Sequence, residues 1–137
     1  MIGLDTNAVI AAINTRKPRV RARLVRALAQ SGSVGIPAIV WFELQYGVAK
    51  SACAEQNAAA LAAFLTLGVV IWPFDAEDAE AAGDIGAALE RVGKPIGPYD
   101  ILIAAQARRR GALLVTANQR EFARVPGLRT ENWARRA

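Results

Sequence analysis

Three acidic residues stand where acids are costly. Asp5 follows Ile2-Gly3-Leu4 and precedes Thr6-Asn7. Glu43 lies in the segment Trp41-Phe42-Glu43-Leu44, and its neighbours one helical turn away are Ile39, Val40, Tyr46 and Gly47. Asp100 opens Asp100-Ile101-Leu102-Ile103-Ala104-Ala105, with Ile96, Gly97, Ile103 and Ala104 one turn away. A carboxylate among such neighbours needs a partner or a metal ion, because burying an unpaired charge is unfavourable. Carboxylate oxygens suit hard cations such as magnesium and manganese. A cation so held can activate water for attack on phosphorus and offset the charge that builds on phosphoryl oxygens. Each acid also has a plainer reading. Asp5 can cap a following helix, Glu43 can pair with an arginine, and Asp100 can sit near a helix N-terminus because the helix dipole favours it there.

Composition narrows the chemistry. The chain has no histidine, which removes histidine acid–base catalysis, histidine triads and the common zinc patterns. Cys53 is the single cysteine, so no internal disulfide forms, and no base motif accompanies it; an inert role is expected. No Walker loop, dinucleotide fingerprint or serine elbow is present. Carboxylates remain the obvious catalytic resource.

Charge is unevenly spread. The net +5 comes from 17 basic and 12 acidic residues. Arg16, Lys17, Arg19, Arg21, Arg23 and Arg26 crowd one stretch, and no acid lies between Asp5 and Glu43. Asp75, Glu77, Asp78, Glu80, Asp84 and Glu90 form an acidic block without a base. This asymmetry suits an anionic partner, nucleic acid first, or simply a solvated helix face.

The elements that must position the acids follow from periodicity. Residues 1–4, 33–36, 69–73, 112–115 and 128–130 read as strands, the last an edge strand. Helices are expected over 6–13, 19–29, 37–50, 54–67, 75–91 and 99–110, with a short one at 119–122. Val20, Leu24 and Leu28 make the apolar side of the second helix; Ala76, Ala79, Ala82, Ile85 and Leu89 lie in or near one stripe of the 75–91 helix. Pro37 is expected to open its helix, and Gly32, Gly68 and Gly111 to end theirs. Strands alternating with helices predict a single α/β domain over residues 1–137, its mostly parallel sheet covered on both faces. Asp5 then falls at the carboxyl end of the first strand, the edge where open α/β sheets bind ligands. The longest apolar run, residues 58–65, is far too short for a membrane span, and no signal-like start appears. The expected location is the cytoplasm.

Together the acid motifs carry a resemblance. Leu4-Asp5-Thr6-Asn7, Trp41-Phe42-Glu43-Leu44 with Tyr46-Gly47, and Asp100 to Ala105 occur in order. Leu114-Val115-Thr116, Asn118, Arg120-Glu121-Phe122 and Arg124-Val125-Pro126-Gly127-Leu128 follow, and Glu131-Asn132-Trp133 closes the series. The chain resembles PIN-domain proteins, specifically VapC-type toxins of bacterial toxin–antitoxin pairs, over nearly its whole length. The resemblance implies a PIN-like three-layer α/β/α sandwich with a mostly parallel, roughly five-stranded sheet. It implies an endoribonuclease that uses Mg2+ or Mn2+ to cleave RNA with metal-activated water, a homodimer, and a cognate antitoxin. It assigns metal ligation to Asp5, Glu43 and Asp100 and site support to the Thr116 hydroxyl. Asn118 departs from the pattern, since many relatives carry an acid there; Glu121 can reach the site if residues 119–122 turn helically, or else it serves the surface.

Two other readings compete. One is a phosphatase using Asp5 as nucleophile, disfavoured because Thr6 and Asn7 follow rather than a second acid. The other is a non-catalytic RNA-binding or protein-interaction module of the same fold. Two surface expectations complete the reading. Trp41, Phe42 and Tyr46 serve a dimer contact or an antitoxin groove, or else the core. The stripe Arg19, Arg23, Arg26 and the run Arg108-Arg109-Arg110 contact RNA backbone, because so much clustered charge cannot all pair locally.

Overall fold

The protein is described here by a computed structural model that covers residues 1–14, 16, 18–30 and 33–135. In chain order the elements are β1 (Ile2–Leu4), α1 (Thr6–Ile13), α2 (Pro18–Gln30), β2 (Val34–Pro37), α3 (Ala38–Lys50) and α4 (Ala54–Leu65). They continue with β3 (Val70–Trp72), α5 (Ala76–Arg91), α6 (Pro98–Arg109), β4 (Leu113–Val115), α7 (Gln119–Phe122) and β5 (Arg129–Glu131). The expected elements are all present, with shifts at their ends. Pro37 is the last residue of β2 rather than the first of a helix; its φ of −55° suits the turn into α3. The helix expected over 54–67 stops at Leu65. Gly32, expected to end α2, lies outside the described residues. Gly111 follows α6 with a φ of +62°, a conformation that suits glycine at a helix end.

The sheet is parallel throughout, in the order β3-β2-β1-β4-β5. Right-handed crossovers put the helices that lead leftward from β1 on one face and those that lead back to β4 and β5 on the other. The resulting α/β/α sandwich buries Leu4, Ile36 and Leu114 from the strands, with Val9, Phe64 and Ile103 from the helices. β1 holds the centre, and the chain's direction of travel reverses between β1 and β4. That is the switch point where crevices open above a parallel sheet.

Small residues on β1 and β2 serve packing. A Cβ on Gly35 would lie 2.0 Å from Nε1 of Trp72, and one on Gly3 would lie 2.8 Å from the same indole. The ring therefore lies flat across two strands, and the Arg110 guanidinium covers it at 5.1 Å. No helix among the described residues is long and apolar enough to cross a membrane.

The acidic block and the arginine run are not what their sequence suggests. In α5 the buried stripe is Asp78, Ala82, Ile85 and Leu89, while Ala76 and Ala79 are exposed. Asp78 is fully buried. It completes a reciprocal cap with Asp75 at the start of α5, and its Oδ1 accepts from Nη1 of Arg109 at 2.6 Å and Nη1 of Arg110 at 3.2 Å. Arg109 also pairs with Asp75 and Glu77, and Arg110 donates to the carbonyls of Gln106 and Pro73. Arg108 donates to the Pro126 carbonyl. The expectation that the Arg108–Arg110 run waits for RNA thus fails for Arg109 and Arg110, while Arg108 has no acid partner among the described residues. Its last two guanidiniums are matched by acids some thirty residues earlier, which sequence proximity does not reveal.

Burial alone would push the Asp78 carboxyl up, but the Asp75 backbone N–H and the two arginines hold it below its ordinary value of 3.8. A depressed carboxylate contributes stability that is complete above the ordinary value and is lost as pH falls through the lowered one. Asp78→Ala should therefore cost about 1–3 kcal/mol at neutral pH, since it removes half of the reciprocal cap and the acceptor shared by Arg109 and Arg110. In urea unfolding the gap between the two proteins should narrow in strong acid. A gap independent of pH would contradict this account.

Candidate active site

Asp5 is fixed from several sides at the carboxyl end of β1. Its backbone N–H donates to the Val115 carbonyl at 2.9 Å, which extends the β1–β4 ladder by one residue. Its Oδ1 accepts from the Thr6 N–H at 2.8 Å and so caps α1. Its Oδ2 accepts from the Thr116 hydroxyl at 2.7 Å and, at 3.4 Å, from the Asn7 side-chain amide. The capping role and a functional role thus coexist in one side chain.

Thr116 begins the turn after β4 and is buried. Besides donating to Asp5, its Oγ1 accepts from the Asn118 backbone N–H at 2.9 Å. The Asn7 side chain accepts from the Ala117 N–H at 2.9 Å and ties the β1 and β4 ends together a second time. Glu43 projects from α3 and is half-buried; its Oε1 accepts from the Thr6 hydroxyl at 2.9 Å. The alternative of an arginine partner does not hold, because Glu43 has no ion pair among the described residues. Thr6, which the motif reading left without a role of its own, thus joins two of the expected acids: its N–H to Asp5 and its hydroxyl to Glu43.

Asp100 occupies the first turn of α6, where the helix dipole favours it. The neighbours of its side chain are nevertheless acids. Its carboxyl is pushed up to about 7 by burial first, then by the charge of Asp5, a hydrogen bond and charge from Glu121, and the charge of Glu43. Asp5 is also raised by burial, against the opposing hydrogen bonds of Thr116, Thr6 and Asn7. Asn118 does not enter this group as an acid substitute. Its side-chain amide donates to Glu121 Oε2 at 3.3 Å, and α7 carries Glu121 toward Asp100. Thr6 thus links Asp5 to Glu43, and Asp100 feels the charges of Asp5, Glu121 and Glu43.

No ion pair neutralises Asp5, Glu43, Asp100 or Glu121 among the described residues, and no three acids there are placed to hold a metal ion together. Oxygen donors alone, crowded enough to repel one another, fit a hard divalent cation by their chemistry. Two surfaces border the group. Phe42, Tyr46 and Tyr99 are 46%, 57% and 48% exposed, and Phe42 meets Tyr99 edge-on at 5.5 Å. Trp41, by contrast, is half-buried against the core. An apolar cavity of about 310 Å³ runs from Thr6 and Glu43 between α1, α3 and α4, past Ile10, Leu44, Val48 and Leu61.

A parallel α/β/α sandwich with carboxylates gathered at its switch point defines a PIN-type domain. A family model described as PIN domain matches residues 2–128. The tRNA(fMet)-specific endonuclease VapC of Shigella flexneri is 41% identical over 131 residues, covering 96% of this chain and 96% of that protein. VapBC2 from Rickettsia felis, solved bound to a DNA fragment from their promoter, matches with a TM-score of 0.89 at 40% identity, covering 97% of this chain and 99% of that one. DNA-bound VapBC from Salmonella typhimurium matches with a TM-score of 0.87 at 38% identity, covering 97% and 99%. The chain belongs to the PIN-domain family, in its VapC-type toxin–antitoxin branch.

The neighbouring acids raise the Asp100 carboxyl, and a cation held among them would relieve that repulsion. Asp100→Asn should therefore melt at or above the wild-type temperature in chelator. Added Mg2+ or Mn2+ should raise the wild-type midpoint and leave the variant nearly unchanged, since ligand binding to the folded state alone stabilises it. Equal shifts for both proteins would exclude Asp100 from cation binding.

Proposed function

We propose that this chain is a magnesium- or manganese-dependent endoribonuclease, a single nuclease domain over residues 1–137 that acts in the cytoplasm as the toxin of a toxin–antitoxin pair. The observation that carries the reading is Thr6 tying Asp5 to Glu43 at the sheet's switch point, with no base paired to Asp5, Glu43, Asp100 or Glu121 among the described residues. RNA as substrate is supported by relatives named as ribonucleases and as a tRNA(fMet)-specific endonuclease. An antitoxin partner is supported by the VapBC structures that this chain resembles.

Asp5, Glu43 and Asp100 hold the cation in this reading, and Glu121 adds the fourth carboxylate. A cation bound there supplies Lewis-acid polarisation of water and offsets the negative charge of the phosphodiester. The remaining work belongs to side chains that hold these acids still. The Thr116 hydroxyl fixes one oxygen of Asp5, and Thr6 fixes the other oxygen together with Glu43. Asn118 steadies both flanks, with its backbone N–H on Thr116 and its amide on Glu121. Asn118 is therefore a positioning residue, where a fourth acid would have stood.

Assembly is part of the proposal. The exposed rings of Phe42, Tyr46 and Tyr99, with Val70 and Ile71 exposed on edge strand β3, offer a second copy of the chain an apolar contact. The apolar cavity beside Glu43 offers an antitoxin a separate groove.

Asp5→Asn and Asp100→Asn should each reduce Mg2+-dependent cleavage of a mixed RNA pool to background with unchanged circular dichroism. Asn118→Ala should lose about 10–100-fold, the scale of a lost supporting contact. Wild-type turnover by either aspartate variant at limiting magnesium would refute the mechanism. RNA binding by the wild type without cation-dependent cleavage would leave the non-catalytic module standing. Light scattering at micromolar concentration should give about twice the 14.6 kDa chain mass, and a monomer throughout would count against the dimer.

A further inference from the structure

A polyanion that reaches four carboxylates must be held by positive charge elsewhere, and the fold leaves only certain arginines available. Arg109 and Arg110 are occupied by the acidic face of α5. The flank of α2 is different. Val20, Leu24 and Ala27 are buried, while Arg19, Arg23 and Arg26 share the face beside them, about a quarter turn away. Arg23 pairs with Glu131 at 3.1 Å and lies over the Trp133 ring at 5.5 Å. Arg19 donates to the Ala134 carbonyl at 3.2 Å, which leaves its charge uncompensated. Arg26 has no hydrogen bond or ion pair among the described residues, and Arg135 is exposed nearby in sequence to this contact. Glu131 is the one acid paired to this flank among the described residues.

This flank is connected to the carboxylates. A shallow recess is lined by Asn7, Thr116 and Ala117 at one end and by Asn132, Trp133 and Ala134 at the other. Asn7 and Thr116 are the side chains that hydrogen-bond Asp5. A larger recess of about 400 Å³ continues beyond Trp133, lined by Arg23, Arg26, Gln30 and Glu131 over Ile2 and Leu113. Trp133 is common to both. Trp133 borders both recesses, Arg19 reaches Ala134 beside the first, and Arg23 and Arg26 line the second, so the depression beside Asn7 and Thr116 adjoins the arginine flank of α2.

Resting on the ribonuclease reading, we propose that this depression is the track for one arm of the RNA substrate. Backbone phosphates on one side of the scissile bond lie along Arg19, Arg23 and Arg26 of α2 and residues 132–135. Guanidiniums match phosphate oxygens in geometry and charge without regard to base, so the track holds RNA of any sequence.

The test measures binding of a fluorescently labelled mixed-sequence single-stranded RNA to the uncleaving Asp5→Asn protein, in Mg2+, over a range of salt concentrations. Arg19→Gln and Arg26→Gln, made in that background, should each weaken binding and lower the slope of log affinity against log salt by about 0.7, the release expected per single-strand phosphate contact. Arg91→Gln, an equal loss of charge at the exposed end of α5, should change neither affinity nor slope. Unchanged binding by both α2 variants would overturn the track and leave this flank to a protein partner. Equal weakening by Arg91→Gln would overturn it in favour of diffuse attraction. Either result leaves cleavage by the wild type intact, whereas a wild type that neither binds nor cleaves RNA removes the ribonuclease reading itself.

Discussion

The bond between the Thr116 hydroxyl and Asp5 is the contact on which the site depends. It holds a buried carboxylate at the end of the central strand without neutralising it. An arginine in that place would have satisfied Asp5 more simply and removed its capacity for a cation. Hydroxyl and N–H donors do the reverse. They orient the oxygens and stabilise the charged form, against the burial that disfavours it. The same bond joins β1 to β4 at the switch point, so fold and site share one constraint.

Charge is sorted by face. Asp75, Glu77 and Asp78 at the start of α5 are matched by Arg109 and Arg110, and the acids at the switch point have no paired base among the described residues. Had Arg109 or Arg110 been free, the acidic face of α5 would have stood as a second repulsive surface toward nucleic acid. Pairing them removes that repulsion and buries Asp78 in a position that an apolar residue would otherwise fill. The excess of positive charge then remains on α2, across the sheet from the pairing.

Most of the architecture was legible because local patterns and long-range packing agree. The five strands, the break at Gly111 and the short α7 follow from apolar runs and turn residues. The three acids stood out because their neighbours were apolar. Other features depend on contacts that spacing does not encode. Asp78 enters the buried stripe because two guanidiniums from α6 reach it, while Ala76 and Ala79 face outward. Thr6 gains its role from Glu43, which lies 37 residues away. The Arg108–Arg110 run looked unpartnered only because its acids lie in a different helix. Glu121 was marked as able to reach the group, and the helical turn of α7 is the reason that it does.

The order of strands has a consequence for how the molecule comes into being. β1 is made first, yet it is flanked by β2 and by β4, and the Thr116–Asp5 bond spans 111 residues. During synthesis the first strand, α1 and Glu43 emerge early, while Asp100, Thr116 and Glu121 emerge near the end. Non-local closure of this kind comes late, since the chain must give up its freedom before the contact forms. A growing chain on the ribosome therefore carries half a site, with its acids apart and the central strand open on one side. The carboxylates meet only once the chain has been made through Glu121.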